Sequence, residues 1–130
     1  MRNIEKLNDG QFAINHENKA MFSINDKYAK KLVRKGKKIN KTLIDNLNDS
    51  TKTIMLHWVL CQINFGKVSF AGPKEITINE SRINQYFLGK KEDQGLLIYS
   101  LRKNGNYQDY VSKANREEIL NYWQSYLNKK

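Results

Sequence analysis

Near the N-terminus apolar residues alternate with polar ones: Phe12 and Ile14, then Ala20, Phe22 and Ile24, on either side of the polar HENK. A period of two with a polar break predicts a β-hairpin over 11–24. The period then changes. Tyr28, Ala29, Leu32 and Val33 repeat at helical spacing between a capping Asp26 and a terminating Gly36, which predicts a helix over 27–35. Leu43, Ile44 and Leu47 predict a second short helix over 41–48.

The segment TKTIMLHWVLCQINFG, capped by Ser50 or Thr51, is apolar almost all round. That pattern predicts a helix buried on several sides, with a strand as the competing reading for so short an apolar run. Beyond Gly66, KVSF and KEITIN read as two strands separated by a Gly72-Pro73 turn. Asn79 then caps a predicted helix, ESRINQYFLG. From Gly95, two strand-like runs flank Asn104-Gly105, a pair suited to the positive φ of a tight hairpin turn. A last helix is predicted over 115–128, with Glu117 and Glu118 in its first turn and a stripe of Ile119, Leu120, Trp123, Tyr126 and Leu127. The whole reads as one compact α+β domain over 1–130, with an N-terminal hairpin, a buried central helix, short strands, and a C-terminal hairpin followed by a helix.

Composition adds a charge argument. Among 130 residues, 23 Lys and Arg face 13 Asp and Glu, for a net charge of +10. A basic chain of this kind favours a polyanionic or acidic partner. Heavy use of Lys, Asn and Ile also matches coding by an AT-rich genome, which explains part of the lysine excess without any function. The lone Cys61 excludes an internal disulfide and fits a reducing compartment. No signal-peptide core and no membrane-length apolar run is present, so the expected location is cytoplasmic, inside a host cell if the chain is phage-encoded.

The charge is concentrated in KYAKKLVRKGKKINK, residues 27–41, where eight of fifteen positions are Lys or Arg and no carboxylate intervenes before Asp45. Lys27, Lys31, Arg34 and Lys35 fall opposite the apolar stripe, and Lys37, Lys38 and Lys41 extend the row. Such a row suits phosphates; it also suits an ordinary solvated helix face, although that usually mixes both signs.

Other chemistry is sparse. His57 and Cys61, four apart, share a helix face but lie in the most apolar run, where a packed cysteine and a hydrogen-bonded core histidine are the better account. A nuclease-like set such as Glu75, Asp93 and Asp109, with Lys74 or Lys103, can be assembled from the scattered carboxylates, yet no spacing favours it. There is no glycine-rich phosphate loop, nucleophile motif or metal-ligand cluster, so neither a cofactor nor a metal is expected and a binding protein is favoured over an enzyme. Aromatic residues at 107, 110, 122, 123 and 126 interleave with polar ones. In a single-strand binder, exposed rings among these, Tyr122 and Tyr107 first, would stack on bases.

Over 76–112 the order is a strand ITI, a polar helix Ser81-Arg82-Ile83-Asn84-Gln85-Tyr86, then strands Gly95-Leu96-Leu97 and Tyr107 to Val111 around a basic tip. This order resembles the recognition-helix-plus-wing half of a winged-helix DNA-binding domain. The resemblance implies base contacts from Arg82, Asn84 and Gln85 and phosphate contacts from Arg102 and Lys103 at the wing tip. Two expectations stand side by side. One is a nucleic-acid-binding module, for DNA or RNA, acting through Lys27, Lys31, Arg34, Lys35, Lys38 and the 102–103 tip. The other, suggested by size and charge alone, is an inhibitor from a phage or mobile element, anti-CRISPR-like or otherwise anti-defence, that blocks an acidic surface of a nucleic-acid-processing complex.

Overall fold

The computed structural model of the protein describes residues 2–15, 21–24, 26–91 and 94–128. A short helix α1 (Arg2–Glu5) leads into the hairpin of β1 (Ala13–Asn15) and β2 (Met21–Ser23), registered through Ile14 and Phe22. The predicted hairpin is therefore present, and the HENK turn lies outside the described residues. Helix α2 (Lys27–Lys35) follows, then a 3₁₀ turn (Gly36–Ile39), α3 (Asn40–Asp45) and the central helix α4 (Thr53–Phe65). Four antiparallel strands form a meander in the order β3 (Ser69–Ile78), β4 (Ser81–Gly89), β5 (Gly95–Lys103), β6 (Asn106–Val111), and α5 (Lys113–Asn128) closes the chain. This is a single compact α+β domain. Among the described residues no helix is long and apolar enough to cross a membrane.

The apolar all-round pattern of 54–61 has the expected result. From Thr53 to Cys61 every α4 residue except Trp58 is buried, because the helix meets β4, α2 and α3 at once. Its cap differs from expectation. Neither Ser50 nor Thr51 does the work; the Asp9 carboxylate, from a distant segment, accepts from the amides of Ile54 (3.2 Å) and Met55 (3.0 Å). Two free N–H groups at a helix start are thereby satisfied across a sequence gap that no local motif reveals. Helix α5 begins at Lys113, two residues before the expected start, so Glu117 and Glu118 fall beyond its first turn.

The larger correction concerns 80–89. SRINQYFLG is the strand β4, not a helix, and Asn79 with Glu80 forms the two-residue turn that joins it to β3, both at positive φ (50° and 68°). Ile83, Tyr86 and Phe87 fit helical spacing, but in the strand Tyr86 and Leu88 are buried in the main core while Ile83 and Phe87 are buried on the opposite face. Ser69-Phe70 of KVSF and Lys74–Ile78 of KEITIN likewise belong to one edge strand, β3, interrupted at 71–74 by a bulge that holds Gly72 and Pro73. Proline is tolerated at such a place because an edge bulge needs no ladder N–H from it. The Asn104-Gly105 hairpin is as expected, with φ of 53° and 84°.

Strand pairing sorts the side chains into two faces. Tyr86, Leu88, Leu96 and Ile98 join the main core against α4 and α5. Phe87, Ile83, Leu97 and Tyr99 alternate with these and so point the other way. Phe87 is nonetheless only 8% exposed, because its ring lies over Gly89 and Gly95. A Cβ on Gly95 would stand 2.5 Å from both Phe87 Cζ and the Leu88 carbonyl oxygen. Gly95→Ala should consequently destabilise the fold by about 2–3 kcal/mol through overpacking, read as a fall in Tm of roughly 10 °C. An unchanged Tm would show that the ring moves aside at no cost.

Candidate nucleic-acid interface

The lysine-rich segment begins at a well-made helix start. Asp26 Oδ1 accepts from the amides of Tyr28 (2.9 Å) and Ala29 (3.0 Å), so the nearest carboxylate is engaged in capping. Ala29 and Leu32 are fully buried against the core, with Tyr28 and Val33 half-buried beside them. That anchoring turns Lys27, Lys31, Arg34 and Lys35 outward, and all four are exposed. Gly36 ends the helix at a φ of 74°, and the 3₁₀ turn carries Lys37 and Lys38 onto the surface while burying Ile39.

Two further features hold this surface in place. Asn40 is buried and exchanges hydrogen bonds with Asn64 of α4 through both amide groups (2.8 and 2.9 Å). The Tyr28 ring sits among Lys27, Lys31 and Lys6, whose ammonium groups lie 5.1, 6.0 and 5.8 Å from its centroid. A ring face offers partial compensation to cations that would otherwise repel one another. Among the described residues Lys27, Lys31, Arg34, Lys35, Lys37 and Lys38 form no ion pair, and Lys41 meets Asp45 at 3.9 Å with both side chains well exposed. The segment therefore presents an almost acid-free cationic surface on a rigid support. Reading the sequence found all of this row except Lys30, also exposed, and Lys6, which comes from outside the segment.

The residues assigned to base reading are not gathered as expected. With β4 a strand, the recognition helix is absent, and Arg82 and Asn84 point to one face of the sheet while Gln85 points to the other. Arg82 pairs loosely with Glu75 (3.8 Å, both exposed). At the hairpin tip Arg102 and Lys103 are exposed as predicted, but on opposite faces of β5.

His57 and Cys61 are structural. His57 Nε2–H donates to the Leu88 carbonyl (3.0 Å), and its Nδ1 accepts from the Trp123 indole N–H (3.0 Å). Burial lowers the imidazole to about 4, against the helping pull of the Leu88 bond, so it is neutral at physiological pH. Burial also pushes the Cys61 thiol up to about 12, which leaves it a packed thiol with no nucleophilic character.

Of the carboxylates, Glu75 and Asp109 share one row across the sheet, Glu75–Asn84–Ser100–Asp109. They occupy its two edge strands, three strand spacings or about 14 Å apart. Asp109 accepts from the buried Ser100 hydroxyl. Asp93 lies outside the described residues, and among those described no group of acidic, His or Cys side chains is placed to hold a metal. Compared with protein families, curated proteins and solved structures, the chain matches none.

Proposed function

We propose that the protein binds the phosphate backbone of nucleic acid, inside the cell, through the surface formed by α2, the 3₁₀ turn and the start of α3. One observation carries the reading: six exposed cations on an anchored segment, with no ion pair to neutralise them among the described residues. A stable soluble surface mixes signs, and a single-sign patch costs self-repulsion unless a polyanion is bound. The mechanism is counterion release, which positions a duplex without reading its sequence. Arg102 and Lys103 add positive charge at the hairpin tip.

The test is a titration of fluorescein-labelled 20-base-pair DNA and RNA duplexes at 50 and 200 mM KCl. About five phosphate contacts would weaken binding between those salts by roughly two to three decades. Polyglutamate of matched charge is the comparison. Absence of duplex binding at 50 mM overturns the proposal, and polyglutamate binding as tight as duplex binding transfers the surface to an acidic protein partner.

A further inference from the structure

The second face of the sheet is turned away from α4 and α5, and Lys74, Lys103 and Tyr110 on it are exposed. We propose that this open face takes up unpaired polynucleotide, with bases stacked between the pocket beside Lys74 and the Tyr99–Tyr110 pair. The proposal rests on the nucleic-acid reading above and deepens it by naming a second, single-strand surface.

Register places Lys74, Gln85, Tyr99 and Tyr110 in one row across all four strands. Tyr99 and Tyr110 stack on each other, with ring centroids 5.5 Å apart and planes at 28°, and Tyr110 is 37% exposed. At the other end of the row, Ala71, Gly72, Lys74, Gln85, Phe87 and Leu97 line a pocket of about 320 Å³ at the β3 bulge. Phe87, Leu97 and Ala71 give it apolar walls, Gln85 an amide able to bond a base edge, and Lys74 an ammonium for the adjoining phosphate. Each kind of group has its place in single-strand recognition: a π-face for stacking, a neutral amide for the base, a cation for the backbone.

Charge selects the occupant. Of the charged residues on the four strands, Glu75, Asp109, Arg82 and Arg102 point to the helix side, while Lys74 and Lys103 point to the open side. The open face thus carries lysines and no carboxylate among the described residues of its strands. An anionic, planar-ringed ligand fits that arrangement. Four strands span about 14 Å, and a sheet of this width stacks two or three bases. Gln85, which the sequence had placed on a recognition helix, here faces a base from a strand.

The experiment uses the full chain with (dT)10 and U10, whose comparison separates DNA from RNA, and inorganic polyphosphate as an anion without bases. Tyr110→Trp should show indole emission quenched by the oligonucleotides and not by polyphosphate. Tyr110→Ala should weaken oligonucleotide binding at least about tenfold, with Tyr110→Phe restoring it and duplex binding unchanged. Duplex binding with no oligonucleotide binding, or oligonucleotide binding indifferent to Tyr110→Ala, overturns this inference and leaves the lysine surface standing. No binding of any polynucleotide overturns both. Self-association lost with Tyr110→Ala in sedimentation, without oligonucleotide binding, assigns the face to a second copy and likewise overturns it.

Discussion

Replacing Lys31, Arg34 and Lys38 together by Glu is expected to weaken duplex binding roughly 500-fold at 0.1 M salt and to make its salt dependence shallower by about three powers of the salt concentration. Each phosphate contact releases nearly one counterion, which at a salt concentration tenfold below molar is close to a factor of ten in affinity. Three contacts removed give the stated loss, and the repulsion introduced by the new carboxylates only increases it. The fold should survive, because the three side chains are exposed and the buried face of α2 is Ala29 and Leu32. Exposed substitutions of this kind change stability by about 0.5 kcal/mol or less each. A second variant, Lys67→Glu with Lys91→Glu and Lys113→Glu, makes the same change in net charge at three other exposed positions. If it weakens binding as much as the first, the effect belongs to overall charge and the α2 surface has no special role. An unchanged salt slope in the first variant would show that α2 is an ordinary solvated face.

Legibility followed the range of the interaction that decides each element. Asp26, Gly36 and Asn104-Gly105 act on atoms two or three residues away, and all three did in the structure what their types predict. The stripe of α5 also acts through its own spacing, and Ile119 and Trp123 are buried as that spacing requires. Asn79 shows where local reading divides. Asparagine suits a helix N-cap and equally the left-handed turn of a hairpin, and the choice between them depended on whether Ile76 would find Ile83 as its cross-strand partner. Two sequence signals favoured the strand: the β-branched and aromatic content of Ile83, Tyr86 and Phe87, and the two-residue Asn79-Glu80 link between ITI and SRIN. The Asp9 cap and the Asn40–Asn64 pair had no local signal at all, since each joins segments that meet only after folding. The same holds for the candidate surfaces. The α2 cations were legible as a helix face, whereas the row from Lys74 to Tyr110 exists only through the register of four strands.

Stability near pH 5 should prove unexpectedly level in the native protein and steeply acid-sensitive once Asp9 is replaced by Asn. His57 is held at about 4 in the folded state, below its ordinary 6.5, mainly by burial. Both states leave it neutral above 6.5. As pH falls from there towards 4 the unfolded chain takes the proton first, so His57 costs stability on acidification. Asp9 works in the opposite sense. Burial raises it from 3.8 to about 6, against the amides of Met55 and Ile54, with Asp49 adding to the rise and Lys52 opposing it. Between 6 and 3.8 the folded state binds the proton first, so acidification adds stability. At about 1.4 kcal/mol per pKa unit, each group is worth about 3 kcal/mol over nearly the same window, with opposite sign. Neighbouring groups do not disturb the balance: hydrogen bonds from Thr51 hold Asp49 below its usual range, and Cys61 stays protonated with its thiol near 12. Asp9→Asn keeps an oxygen to accept from the α4 amides but cannot titrate, which leaves the His57 slope uncompensated. Urea unfolding followed by tryptophan fluorescence should then show the variant losing about 2–3 kcal/mol between pH 7 and 4.5, relative to the native change over the same interval. His57→Gln should show the reverse, a gain on acidification, whatever its stability at neutral pH. Parallel pH profiles for native, Asp9→Asn and His57→Gln proteins would mean that neither buried group titrates as its surroundings require, and the long-range Asp9 cap would have to be ionised throughout.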